Sequence, residues 1–282
     1  MAKVDQTGAE DWQGERGDHW LRDMDKFESM LEPLGLALLE RAAPLPGDRI
    51  VDIGCGGGWT SRKAAADVLP TGSVRGIDIA PMLVDEATSR ARGIANVAFT
   101  CADAGEGDVP GAPFDRMISR LGVMFFADPT SAFARLRGLL RIGGQLDWAV
   151  WAPPEDNPWM SGARKIAAKH VELAPPDLSA PGPFALSDPE RLAGLLTQAG
   201  FTDVDIVSWN GKQAVGGQGS TPEHAADFAM TAFSFSDAML EIGPDARSAI
   251  RSDLVAYYAG YYCAGVLAVP AKAWLVQARS GS

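Results

Sequence analysis

Asp52 is followed by glycine at every second position in Asp52-Ile53-Gly54-Cys55-Gly56-Gly57-Gly58-Trp59, so a carboxylate and backbone without side chains meet in one turn. Glycine lets a ligand approach the main chain, and a helix that begins after such a turn offers free N–H groups to polar ligand atoms. The register restricts the ligand. A dinucleotide fingerprint starting at Gly54 needs its third glycine at position 59, which is Trp59, and a P-loop needs a Gly-Lys-Ser/Thr that does not follow. Two more carboxylates, Asp78 and Asp103, recur at intervals of about 25 residues. Each falls at or just past the C-terminal end of an apolar run, the edge at which open α/β sheets bind ligands.

The elements that must position these groups alternate. A helical stretch from Asp23 to Ala43 precedes a turn at Pro44–Asp48 and a strand at Arg49–Ile53. The pattern then predicts a helix over Trp59–Leu69, a strand over Ser73–Ile77, a helix over Pro81–Arg92, strands over Val97–Cys101 and Phe114–Ser119, a helix over Thr130–Leu140 and a strand over Gln145–Trp151;. Buried apolar strands alternating with amphipathic helices imply a parallel sheet covered on both faces. Pro175, Pro176, Pro181, Gly182 and Pro183 form a linker-like cluster within Ala174–Pro183. Beyond it, Ser187 or Asp188 caps a helix that Gly200 stops, and Asp203–Trp209 and Ala273–Ala278 read as the last two strands;.

Composition narrows the partners. With 25 basic against 36 acidic residues in 282, the net charge is 25 − 36 = −11, which repels nucleic-acid phosphates and anionic lipid surfaces. The segment MAKVDQTGAEDWQGERGDHW lacks an apolar signal region, and no stretch resembles a spanning helix;. Cys55, Cys101 and Cys263 show no CxxC spacing, which disfavours a disulfide framework or zinc site and fits a reducing cytoplasm. No compact carboxylate cluster suggests a metal.

The ordered motifs resemble those of the class I S-adenosylmethionine-dependent methyltransferases, in particular small-molecule enzymes of the ubiquinone and menaquinone biosynthesis type. Asp52, Gly54, Gly56 and Gly58 match the first motif, and Gly76-Ile77-Asp78-Ile79-Ala80-Pro81-Met82-Leu83 is similar to the second. Cys101-Ala102-Asp103-Ala104 looks like the third. Phe114 to Phe126 is similar to the strand-four motif, and Leu140 to Leu146 resembles the turn into strand five, with Ile142 where the family usually has proline. The resemblance spans roughly Asp48 to Trp151. It implies an α/β fold: a Rossmann-like seven-stranded sheet, six strands parallel and the last antiparallel, with helices on both faces and a helical insertion between strands six and seven.

The resemblance also implies S-adenosyl-L-methionine as cofactor. Its ribose hydroxyls and cationic groups need acceptors, and carboxylates make charge-assisted ones. The cofactor-binding residues are then Asp52, Gly54, Gly56, Asp78, Ile79, Met82, Asp103, Ala104, Ser119 and Arg120. Trp151, Trp159 and Met160, leaving strand five, are expected in the acceptor pocket, as are Phe233 and Tyr257 from the insertion. Residues 1–43 are read as a helical segment covering the cofactor, 44–209 with 271–282 as the core, and 210–270 as a lid. Among His19, His170 and His224, His19 is the candidate base because it lies in the covering segment.

The expected activity is methyl transfer to O or C of a small, largely apolar molecule, without nucleic-acid or membrane partners; a homodimer stays open. Two other readings remain. One is an S-adenosylmethionine-binding protein without methyl transfer, and the other a nicotinamide-dependent oxidoreductase, against which Trp59 argues.

Overall fold

The computed structural model describes residues 9–175 and 177–281. The first eight residues of the covering segment, Pro176 of the linker and Ser282 lie outside the described residues.

Three helices, α1 (Ala9–Gln13), α2 (Glu15–Arg22) and α3 (Met24–Ala42), lead into strand β1 (Arg49–Ile53). Then follow α4 (Trp59–Asp67), β2 (Ser73–Asp78), α5 (Pro81–Arg90), β3 (Val97–Cys101), β4 (Phe114–Arg120), α6 (Pro129–Gly138), β5 (Leu140–Trp151), α7 (Pro158–Ala167), α8 (Pro189–Gln198) and β6 (Phe201–Gln213). The chain continues through α9 (Pro222–Ala232), α10 (Ser236–Glu241) and α11 (Pro244–Ala259). A small hairpin of β7 (Tyr262–Cys263) and β8 (Val266–Leu267) precedes β9 (Val269–Ser280).

The seven-stranded sheet has the order β3-β2-β1-β4-β5-β9-β6, with β9 antiparallel to both neighbours and the remaining pairs parallel. Strand alternation separates two layers. Arg116, Ile118 and Arg120 of β4 and Asp147 and Trp151 of β5 face α3 and α4. Trp148 points the other way, onto Phe133 of α6 at 4.8 Å. Local signals fix the helix ends: Asp128 and Asp188 accept the first free N–H groups of α6 and α8, each followed by proline, and Gly200 stops α8 at φ +90°;.

Several boundaries differ from the sequence reading. The N-terminal stretch is three helices rather than one from Asp23. β6 runs past Trp209 to Gln213, and β9 begins at Val269 rather than Ala273. These last turns of strand pair with each other beyond the rest of the sheet, and β6 is an edge strand whose exposed Asp205, Ser208, Asn210 and Lys212 hide the apolar alternation;. Among the described residues no helix is long and apolar enough to cross a membrane.

Candidate functional site

The chain leaves β1 through a turn tied to β2, where the Gly54 and Cys55 N–H groups both donate to the Ile77 carbonyl at 2.9 and 3.0 Å. Gly54, Gly56 and Gly58 all have left-handed φ, +66°, +52° and +75°, which side chains adopt at a cost. Their surroundings differ. A Cβ on Gly54 would stand 2.7 Å from the Gly122 backbone and one on Gly58 2.7 Å from the Phe99 ring, whereas one on Gly56 would meet Trp20 Nε1 in ordinary contact at 3.7 Å. Gly54 and Gly58 therefore serve packing, and Gly56 is the open side of the cradle.

Two carboxylates bracket it. Asp78 is buried, with Oδ2 accepting from the Gly56 N–H at 2.7 Å and Oδ1 from the Ala80 N–H at 3.0 Å. Burial raises its pKa, and these backbone donors oppose the rise;. Asp52 is 1% exposed; its Oδ2 accepts from the Ser61 hydroxyl at 2.6 Å, and its Oδ1 has no hydrogen-bond partner among the described residues. Burial pushes the Asp52 carboxyl up to about 7, against the Ser61 hydrogen bond and the nearby Arg120 charge.

Other residues expected at the cofactor are turned inward. Ser119 is fully buried and donates to the Ile53 carbonyl at 2.7 Å, pinning the end of β1. The Arg120 guanidinium lies 4.8 Å over the Trp59 ring and donates to the Leu31 carbonyl of α3; burial lowers its pKa to about 10. Ser119 and Arg120 thus point to opposite faces of β4, one holding the end of β1 and the other reaching α3. Asp103 closes its own turn, accepting the Gly105 N–H at 2.7 Å, with Ala104 buried beside it. Ile79 is half-buried, and half-buried Met82 packs with Trp20, Leu21 and Met24, so α2 and the start of α3 lie over the cradle.

Glu28 of α3 belongs to no motif and was missed. Its Oε2 pairs with Arg90 at 3.1 Å and Arg62 at 3.8 Å, Arg62 in turn donates to the Gly57 carbonyl, and its buried Oε1 has no partner. Only the packing of α3 on the glycine turn reveals it.

From the cradle an aromatic seam crosses the molecule. Trp12 meets Phe125 at 5.0 Å and Trp20 at 5.7 Å; Trp20 stacks on Phe27 at 4.0 Å, and Phe27 meets Phe228 at 5.0 Å. Phe228 touches Phe233 at 5.8 Å, Phe233 touches Trp159 at 5.4 Å, and Trp159 touches Trp151 at 5.1 Å. Trp151, Trp159 and Phe233 are thus brought together, with half-buried Met160 packed against the same core.

Tyr257 does not join them. Its hydroxyl donates to the Pro158 carbonyl at 2.8 Å and its ring covers Gly162, in an outer cleft with Lys165, Lys169 and Asp253. Tyr261 lies past the end of α11, and the inward position goes instead to Tyr258, fully buried with its hydroxyl on the Trp159 carbonyl at 3.1 Å. Tyr257→Phe is therefore expected to lower stability by about 0.5–1.5 kcal/mol in urea denaturation while the ranking of acceptors stays as in wild type.

His19 is half-buried on the wall of a cavity of about 760 Å³ between α2 and the helices α9 to α11, 3.9 Å from the Glu15 carboxylate. His170 pairs with Asp253 at 2.8 Å on the outside, and His224 is exposed.

The Methyltransferase domain family matches residues 50–144, the segment from β1 to the start of β5. Aklanonic acid methyltransferase DauC of Streptomyces sp. (strain C5) is 37% identical over 116 residues, 40% of this chain and 53% of that protein. Nocamycin O-methyltransferase of Saccharothrix syringae is 30% identical over 183 residues, 61% of this chain and 65% of that protein. The matches thus span between half and two thirds of the length of these curated relatives. In fold, the chain is similar to phosphoethanolamine N-methyltransferase 2 of Haemonchus contortus, solved in complex with S-adenosyl-L-methionine. The TM-score is 0.55 at 17% identity, over 95% of this chain and 60% of that one. With the glycine turn, the acidic strand ends and the sheet order, these matches support a class I S-adenosylmethionine-dependent methyltransferase, with residues 50–144 matching the methyltransferase domain.

Proposed function

We propose that the protein transfers the methyl group of S-adenosylmethionine to an oxygen of a small, largely apolar molecule; the name of nocamycin O-methyltransferase supports oxygen as the acceptor atom. The observation that carries the reading is the junction of two dissimilar environments. A glycine cradle flanked by Asp52 and Asp78 opens onto an aromatic seam, so a polar, cationic ligand and an apolar one can be neighbours.

The residues fit the cofactor. Asp52 Oδ1 is a buried acceptor without a partner, suited to a cationic amine, and the Asp78 carboxylate has lone pairs beyond its two backbone bonds for ribose hydroxyls;. Gly56 leaves room for close approach. Ile79, Met82, Asp103 and Ala104 would border the adenosine. When bound, S-adenosylmethionine supplies a sulfonium methyl that is already activated.

The chain's own residues then bind, orient and exclude water. The N-terminal helices cover the cofactor, α9 to α11 act as the lid over the acceptor, and Phe27, Phe228, Phe233 and Trp159 give a dry, fixed surface against which an acceptor oxygen can be held in line;. His19, facing the cavity, is the group we assign to take the proton from an acceptor hydroxyl, with Glu15 on its ring;.

The test is transfer of label from methyl-labelled S-adenosylmethionine to a panel of aromatic and alicyclic hydroxy compounds. Labelled product is expected from at least one; cofactor binding without transfer to any would favour the non-methylating reading. In the same assay Phe233→Leu is expected to reorder the panel while cofactor affinity moves by less than about 0.5 kcal/mol, the size typical of substitutions away from a site.

A further inference from the structure

Gln213 ends β6 fully buried, and neither its Oε1 nor its Nε2 has a hydrogen-bond partner among the described residues. Register places it. Gln213 lies opposite Val269, Gly211 opposite Ala271, and Trp209 opposite Ala273, which is itself opposite Trp151 of β5. Alternation puts Asp205, Trp209, Gly211 and Gln213 on one face, and Asp205 meets Arg41 of α3, so Gln213 is on the α3 face. The chain just after it holds the N-terminal half of α3: the Gly216 N–H reaches Met30 Sδ at 3.3 Å, and the Gln218 N–H donates to Ser29 Oγ at 2.9 Å. The amide therefore sits on the α3 face of the β6–β9 pair, opposite Val269 and next to the segment that holds the part of α3 from which Phe27 meets Phe228 of the insertion.

A buried amide without partners is unfavourable, and an apolar side chain of the same size would fill the space without that penalty. An amide offers one donor edge and one acceptor edge side by side. Resting on the methyl-transfer reading above, we propose that Gln213 is the acceptor-binding residue that selects molecules carrying a hydroxyl next to a carbonyl, such as an o-acyl phenol or a peri-hydroxyquinone. Nε2 donates to the carbonyl, and Oε1 accepts from a hydroxyl. Parting of the Phe27–Phe228 contact, which joins α3 to the insertion, opens the way in.

The experiment measures binding of 1-hydroxyanthraquinone and of 1-hydroxyanthracene, which lacks the carbonyls, by quenching of tryptophan fluorescence, with and without S-adenosylhomocysteine. Wild type is expected to bind the hydroxyquinone at least tenfold more tightly. Gln213→Met and Gln213→Leu are expected to lose that preference while keeping wild-type cofactor affinity and a melting temperature no lower than wild type. Equal binding of the two probes by wild type, retained preference in the variants, or a lowered melting temperature in both variants would overturn the assignment. Because binding is read without turnover, failure of methyl transfer shows separately, as absent label transfer or absent cofactor binding.

Discussion

Asp78→Ala is expected to lose both cofactor affinity and part of the fold's stability. Hydrogen bonds to a charged group contribute about 1.5–3 kcal/mol, so loss of the ribose acceptor should raise the cofactor dissociation constant by about 10- to 150-fold. From sequence alone the substitution would weaken binding without touching the fold. The structure adds a second consequence. Asp78 also satisfies the Gly56 and Ala80 N–H groups, and leaving a buried donor unpaired costs about 1–3 kcal/mol each. Gly56 is the open side of the cradle, so releasing its N–H also loosens the surface on which the ligand rests. Calorimetric titration with S-adenosylhomocysteine, together with urea denaturation of the free protein, checks both parts; equal affinity in wild type and variant would remove Asp78 from the site.

A pH dependence centred on Asp52 is the second large effect. Its carboxyl is raised from 3.8 to about 7 in the folded protein, chiefly by burial. Below pH about 4 both folded and unfolded chains hold the proton; between about 4 and 7 the folded chain keeps it while the unfolded chain releases it. The stability from this group is thus fully present below the unfolded value and is lost as pH rises through the folded one, at up to about 1.4 kcal/mol per unit, on the order of 4 kcal/mol in all. Asp52→Asn removes this titration, so the difference between wild-type and variant unfolding free energies should shift in the variant's favour from pH 4.5 to 7.5. A cationic amine on Oδ1 reverses the preference: cofactor affinity of wild type should rise with pH across the window, with protons released on binding. A pH-independent difference in stability would show that Asp52 ionises normally. Ser61→Ala removes the hydroxyl on Oδ2 and should steepen the wild-type trend.

The glycine turn and the strands before it were legible because each residue there answers to local geometry. Asp52, Asp78 and the alternating glycines sit where a strand becomes a helix, and the apolar runs of β1, β2 and β4 are buried on both faces. What sequence could not show depends on partners far along the chain. Ser119 and Arg120 look alike as motif residues, but the pleat sends both into the protein, one to Ile53 and the other to α3. Glu28 acquires a role only because α3 packs on the turn, and Gln213 only because an edge strand with exposed polar residues runs on until its last side chain is covered. Tyr257 and Tyr258 are neighbours in α11, and only the packing of α7 decides that Tyr258 points in while Tyr257 covers Gly162.

The central claim, that the cradle at Gly56 binds S-adenosylmethionine, is tested most directly by calorimetric titration of wild type and Gly56→Val with S-adenosylmethionine, with NAD as the competing cofactor. Valine at φ +52° is strained by about 1–2 kcal/mol, but Gly56 is the least crowded glycine of this turn, with Trp20 Nε1 at 3.7 Å from an added Cβ, so the variant should remain folded. Wild type should bind S-adenosylmethionine and not NAD, and Gly56→Val should bind neither while melting cooperatively. Binding of NAD by wild type, or undiminished S-adenosylmethionine binding by a folded Gly56→Val, would contradict the account.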